Sequence, residues 1–261
     1  MEIDWMKKKM CLWLCSLTIT AATAQEKIII AGDTLINNSQ ATHKNSVYRQ
    51  LIAPTILMGF GSLALTSDGI KGFNRSVRTV MNGDEGTTID DYTRYAPVLS
   101  VYALNLAGIK GKNNFRDRTV IMLTANLLAV GTTMALKKAC AIERPDGSTN
   151  NSFPSGHTSI AFAGAEFLWQ EYKDVSPWYG VAGYVVAAGT GLCRIYNDRH
   201  WLTDVAAGAG IGILSTKVAY WIYPWMQRQL FGEKESKSTT SVMALPFYNG
   251  EQGGLSLAIQ F

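Results

Sequence analysis

Residues 119–145 read TVIMLTANLLAVGTTMALKKACAIERP. The first 18 of them, Thr119–Leu136, carry no charge. That length approaches the roughly 20 apolar residues that cross a bilayer as a helix. The run ends on Lys137, and Arg144-Pro145 follows seven residues later. Pro145 holds Arg144 out of the helical region, so its guanidinium can turn back across a cavity at the helix end. Arginine presents a planar fork of donors that suits phosphate oxygens. Taken alone, cations after an apolar helix serve equally well as interface anchors.

Apolar segments recur on both sides of this stretch. Leu51–Thr66 has 16 uncharged residues but contains Pro54, Gly59 and Gly61, and Tyr95–Ile109 has 15. Ser155–Tyr172 has helical periodicity and is interrupted by Glu166. Val175–Cys193 has 19 uncharged residues, and Leu202–Trp225 carries Asp204 and Lys217. With Thr119–Leu136 these predict six helices and an all-α fold. Only Thr119–Leu136 and Val175–Cys193 approach spanning length.

The 261 residues are 47% hydrophobic and only 17% charged, against about 25% charged in soluble domains. This favours a membrane-embedded bundle over a soluble one. Trp169, Tyr172, Trp178 and Tyr179 at two helix ends, and Tyr220, Trp221, Tyr223 and Trp225 at the last, resemble interfacial belts. The net charge of +4 gives no sign of nucleic-acid binding.

Residues 1–24 read as a signal peptide: Lys7, Lys8 and Lys9 precede an apolar run, and Ala22-Thr23-Ala24 offers a cleavage site. Removal of this segment would leave Cys140 and Cys193, which could pair or stay as buried thiols. Residues 25–50 are polar, and His43 among them is read as exposed. Lys110, Lys112, Arg116 and Arg118 make the loop before Thr119 basic, hence cytoplasmic. Its far end then faces outward, which leaves room for an odd number of crossings before Lys110. Tyr95–Ile109 is taken as that crossing and Leu51–Thr66 as a re-entrant or interfacial segment. After a polar linker, Ser241–Tyr248 and Leu255–Phe261 alternate around Asn249-Gly250, the pattern of a small β-hairpin.

Two further clusters carry chemistry. In Pro154-Ser155-Gly156-His157 the proline suits a first helical turn. The small residues let backbone N–H groups approach an anion at the helix N-terminus. In Arg194, His200 and Asp204, the last two are four apart and share a helical face. A carboxylate one turn on can take the Nδ1 proton and leave Nε2 as a lone-pair nucleophile. Each cluster has a plainer reading, a core histidine in the first case and a surface ion pair in the second. Glu166 predicts a pairing within the bundle, and Gly208-x3-Gly212 a close helix contact.

The order and spacing of these clusters resemble the type 2 phosphatidic acid phosphatase (PAP2) superfamily. Its pattern is Lys-x6-Arg-Pro, then Pro-Ser-Gly-His, then Ser-Arg-x5-His-x3-Asp. The resemblance covers about residues 51–225, with Cys193 standing where the family has serine. It implies a six-helix bundle of the PAP2/haloperoxidase type. With the segments outside the resemblance, the chain divides into a signal at 1–24, a polar segment at 25–50, a phosphatase domain at 51–230, and a linker and hairpin at 231–261. The resemblance also implies that Lys137, Arg144, Arg194, Ser155 and the Gly156 N–H bind phosphate. His200 would attack phosphorus, Asp204 would orient it, and His157 would protonate the leaving oxygen. No metal and no cofactor is expected. The implied substrate is a membrane lipid carrying a phosphate or diphosphate, such as phosphatidate, phosphatidylglycerol phosphate, undecaprenyl diphosphate or lipid A. The site would face the periplasm from a bacterial inner membrane. A soluble periplasmic acid phosphatase and a vanadium-dependent haloperoxidase are the alternatives.

Overall fold

The computed structural model describes residues 39–83, 86–231, 241–248 and 253–260. The signal segment lies outside them, and so does the side chain of His43. Among the described residues the fold is all-α apart from one strand pair. The helices are α1 (Ser39–Leu63), α2 (Asp68–Met81), α3 (Ile89–Thr93), α4 (Ala96–Leu106), α5 (Phe115–Cys140), α6 (Gly156–Tyr172), α7 (Pro177–Tyr196) and α8 (Leu202–Phe231). This is two more than predicted. Helices α2 and α3 fall in the stretch 67–94, which lacks a long apolar run. They form because Ser67 caps Ile70 N and Asp68 adds charge to the first turn of α2, while Asp90 of α3 is buried against later helices.

The chain divides into two compact units, 1–221 and 222–261. In the second, β1 (Ser241–Tyr248) pairs antiparallel with β2 (Gly253–Gln260), Ser241 opposite Gln260 and Tyr248 opposite Gly253. In the first, α6 is the central helix. It is buried along most of its length and packs on α4, α5 and α7. Helix α8 reaches it through glycines. A Cβ on Gly208 would lie 2.4 Å from Ser155 O, and one on Gly212 would lie 2.3 Å from Ser159 O. The opposite face of α8 meets α1, where a Cβ on Gly210 would lie 2.7 Å from Pro54 O. Met58, Leu65, Leu136, Cys140, Phe153, Ala207 and Ile211 form one core cluster between these helices.

Among the described residues, two helices are long and apolar enough to cross a membrane, Phe115–Cys140 and Leu202–Phe231. The outer face of α5 carries Leu123, Leu127, Val130 and Met134 in one exposed stripe, Leu127 at 75%. The expected span at Val175–Cys193 is not among them: α7 has the length, but four glycines and Arg194 dilute its apolar character. Tyr95–Ile109 also fails as a crossing. Its helix has 11 residues, about 16 Å, or half a hydrocarbon core. The Leu51–Thr66 region is part of a bent element, compatible with the expected re-entrant segment: Arg49–Leu63 and Asp68–Met81 meet at 96° and pass as a span only when taken together.

Several polar residues of these helices are paired inside the bundle. Glu166 accepts from Lys217 Nζ at 2.7 Å, Gln170 Nε2 at 2.6 Å and the Tyr184 hydroxyl. Glu171 accepts from Tyr220 at 2.6 Å and from Asn113, with Arg118 Nε 3.9 Å away. Arg118 is therefore a buried partner of Glu171 and no part of an exposed basic loop. Tyr172 and Tyr220 likewise belong to the interior. The Tyr172 hydroxyl donates to Val101 O and Ile109 O. Trp178 and Trp225, 75% and 65% exposed, keep the character of interfacial aromatics.

Gly212→Ala forces α8 away from α6 and is expected to cost about 1–3 kcal/mol. A lowered unfolding midpoint of the purified protein reads this directly. Gly59→Ala, whose Cβ would meet nothing within 4 Å, should leave the midpoint unchanged or slightly higher.

Candidate active site

Four helix ends deliver the predicted residues to one place. Helix α5 brings Lys137 in its last turn, and Gly156 at the start of α6 sits 4.0 Å (measured from an added Cβ) from Lys137 Cε. Helix α7 brings Arg194 in its last turn, and α8 brings Asp204 in its first. A basic side chain at a C-terminus and a carboxylate at an N-terminus each complement the helix dipole. Ser155 N donates to Asp204 O at 3.0 Å, which ties the start of α6 to the start of α8.

The cations are held by one loop. Lys137 Nζ donates to Asn151 O, and to Ser152 O at 3.3 Å. Arg144 Nε donates to Asn151 Oδ1 at 2.8 Å. Asn151 thus sets Lys137 and Arg144 in register, through its main chain and its side chain. Arg199 pairs with Asp146 at 3.1 Å, and Trp201 Nε1 donates to Glu143 O at 3.0 Å, so this loop is fastened to the α7–α8 turn. From the other side Arg78 holds Asp198 with two hydrogen bonds, of 2.7 and 2.6 Å.

Pro154 precedes helix α6 and does not occupy its first turn; Ser155 is the N-cap. The Ser155 hydroxyl is buried and shares a hydrogen bond with Thr158 Oγ1 at 2.9 Å. The first N–H groups of α6, including those of Gly156 and His157, have no intrahelical acceptor. Such a helix start, here with Lys137 close to Gly156, is a general feature of anion sites.

His200 and Asp204 are both buried, and His200 Nδ1 lies 3.7 Å from Asp204 Oδ2. That is too long for a hydrogen bond, so the contact is electrostatic. Asp204 Oδ2 instead accepts from Ser152 Oγ at 2.5 Å and from Trp201 N at 2.9 Å. Trp201 precedes the helix and Asp204 stands at its third position, so this is the acidic half of a capping box. Burial pushes the His200 imidazole down from 6.5 to about 4; Asp204 opposes the shift, while Lys137 and Arg194 reinforce it. The ring is neutral at neutral pH and retains a lone pair.

His157 is a fifth exposed at its side chain and faces α3. Its Nε2 is 2.8 Å from Asp91 Oδ1 and 3.0 Å from Arg94 Nη1. Burial lowers its pKa, Asp91 opposes this, and Arg194 and Arg94 add to it. The Arg194 charge therefore acts on both imidazoles. Arg194 itself donates to Asp90 Oδ2 at 2.5 Å, and Asp90 also accepts from Asn197 Nδ2 at 2.9 Å.

Asp90, Asp91, Arg94, Asn151 and Ser152 were not singled out from the sequence. The run Asp90-Asp91 next to Arg94 is the one local signal that could have drawn attention to them. Cys193 is a free thiol, so Cys140 and Cys193 do not pair.

Residues 118–228 match the family model of the PAP2 superfamily. Through these residues the chain is similar to that superfamily. It is 34% identical over 202 residues to a lipid A 1-phosphatase of Porphyromonas gingivalis, covering 73% of this chain and 45% of that protein. It thus spans less than half the length of that relative. It is 41% identical over 91 residues to a probable diacylglycerol pyrophosphate phosphatase of Schizosaccharomyces pombe, 31% of this chain and 30% of that one. Among solved structures, LpxE of Aquifex aeolicus aligns at 22% identity and a TM-score of 0.45, over 57% of this chain and 95% of that one.

Two outcomes test this geometry. Asp204→Ala removes the cap and should cost about 1–2 kcal/mol of stability, most of which Asp204→Asn retains by still accepting from Trp201 N. The second concerns pH. Since the folded protein holds His200 neutral, the unfolded chain binds its proton first as pH falls below 6.5. The contribution present above 6.5 is lost progressively down to about 4, and amounts to about 3 kcal/mol. Unfolding midpoints measured from pH 7 to pH 4 should fall less steeply for His200→Asn than for the parent protein.

Proposed function

We propose that this protein is a metal-independent phosphatase acting on a membrane lipid phosphate or diphosphate through a phosphohistidine. The observation that carries this reading is a buried, neutral His200 beside Asp204, within the field of Lys137 and Arg194. A neutral imidazole surrounded by cations is a nucleophile next to a place for its electrophile.

Lys137, Arg144 and Arg194, with the N–H groups at the start of α6, hold the phosphoryl oxygens and stabilise the charge of the transition state. The His200 lone pair forms the P–N bond as the bond to the leaving oxygen breaks. Asp204, close to Nδ1, stabilises the ring as it becomes positive. His157 gives its proton to the leaving oxygen. Water then loses a proton to His157 and attacks phosphorus, and the P–N electrons return to His200. Ser155 orders the start of α6 and leaves the phosphate contacts to the N–H groups that follow it, because its hydroxyl is engaged with Thr158 and its own N–H with Asp204 O.

The named activities of the relatives, a lipid A 1-phosphatase and a probable diacylglycerol pyrophosphate phosphatase, support a lipid substrate. So does the apolar stripe of α5, which ends one turn short of Lys137. We place the site at the periplasmic face of a bacterial inner membrane, after removal of a signal peptide.

His200→Ala should fold and lose phosphate release by at least about 10³-fold on a panel of lipid and soluble phosphoesters. Chelators should leave the parent rate intact, and a rapidly quenched reaction should carry acid-labile phosphate on His200. Retained turnover in His200→Ala would overturn the assignment.

A further inference from the structure

One nitrogen of His157 faces two residues that it cannot satisfy together. Nε2 lies 2.8 Å from a carboxylate oxygen of Asp91 and 3.0 Å from a guanidinium nitrogen of Arg94. A protonated Nε2 can donate to Asp91 but can accept nothing from Arg94. A deprotonated Nε2 can accept from Arg94 but offers nothing to Asp91. The partner of the ring is thus decided by whether the nitrogen carries a proton. We propose that Asp91 and Arg94 are a positioning pair that divides the two states of the His157 ring between them, Asp91 holding the loaded form and Arg94 the unloaded one. This rests on the reading of His157 as the group that protonates the leaving oxygen.

The surrounding groups fit the division. Four charged residues from two other elements face the ring: Asp90, Asp91 and Arg94 in and just after α3, and Arg194 from α7. Asp90 is fixed, because it is fully buried and occupied by Arg194 and Asn197. Arg194 is fixed by the same bond. Asp91 is different, with a side chain 53% exposed, so it can swing away when a leaving oxygen takes its place. Arg94 packs over the Tyr95 ring, 4.6 Å from its centroid, which keeps its guanidinium near the nitrogen.

The cycle balances within the proposed reaction. As the bond from phosphorus to the leaving oxygen breaks, its electrons stay on that oxygen. The oxygen takes the proton from Nε2, and the N–H electrons become a lone pair to which Arg94 donates. In the second step the attacking water returns a proton to Nε2, and the ring goes back to Asp91. Throughout, Arg94 limits how strongly the ring retains its proton and Asp91 limits how readily it loses it.

The test uses the full chain in detergent and follows the His157 ring by NMR titration. There are three histidines to assign, each identified by its own substitution to Gln. Asp91→Asn should lower the His157 midpoint by about one pH unit or more, and Arg94→Gln should raise it by a similar amount. The high-pH limb of kcat should move in the same two directions. Asp91→Glu and Arg94→Lys, which keep the charges, should titrate close to the parent protein and serve where the neutral variants fold poorly. Opposite shifts in the two neutral variants support the pair. An unmoved midpoint in either, or shifts in one direction in both, overturns it. Opposite ring shifts in a protein without phosphatase activity would retain the pairing and remove the reaction assigned to it.

Discussion

The contact on which the site depends is the close approach of two helix N-termini. Gly208 and Gly212 let α8 lie against the backbone of α6, and the Ser155 N–H reaches Asp204 O across the gap. Each N-terminus carries roughly half a positive charge on unsatisfied N–H groups. Bringing two together beside Lys137, Arg144 and Arg194 costs repulsion. Asp204 relieves part of it, since its carboxylate caps α8 and accepts from Ser152 in the loop leading to α6. The same carboxylate then stands next to His200. A group that the helix needs as a cap is in the right place to orient a nucleophile, so fold and chemistry draw on one residue.

Buried charge elsewhere follows the same rule of pairing. Removing one partner of a buried ion pair costs about 3–5 kcal/mol, because the other is left uncompensated. Glu166 with Lys217, and Glu171 with Arg118, each sit inside the bundle with additional tyrosine, glutamine or asparagine donors. Those donors satisfy the remaining lone pairs, which is the condition for such pairs to be tolerated. The networks also join helices distant in sequence: α6 to α7 and α8 through Glu166, and α6 to α5 and α8 through Glu171. They fix the relative positions of the helices whose opposite ends carry the site.

Lys137, Arg144, Arg194, His157, His200 and Asp204 were legible because the chemistry fixes residue type and short spacing within each cluster. The residues that support them were not. Asp90 meets Arg194 across 104 positions, Ser152 meets Asp204 across 52, and Asp91 meets His157 across 66. No period or motif encodes such distances, and tertiary packing alone creates them. Hydropathy misled in a related way. Arg118 looked like a loop cation but is the buried partner of Glu171, and the 15 uncharged residues Tyr95–Ile109 form a helix of only 11. An uncharged run bounds a helix from outside. Where the helix starts and stops depends on caps, and α4 begins at Ala96 and ends at Leu106.

The three cations also have to be kept from destabilising one another. Among the described residues, Arg144 and Lys137 form no ion pair with a carboxylate; they are held by carbonyl and amide oxygens of Asn151 and Ser152, which carry partial charge only. Arg194 has a full counter-charge, in Asp90. The distinction has a chemical consequence. A phosphate dianion entering the site meets two cations whose charge is still available, at little cost in broken ion pairs. The third stays anchored and directional, because its carboxylate partner is buried and also held by Asn197. Binding strength therefore comes from the loop that carries Lys137 and Arg144, and orientation from the α3–α7 contact that carries Arg194. A site that paired all three cations fully would gain stability when empty and lose affinity for the anion by the same amount.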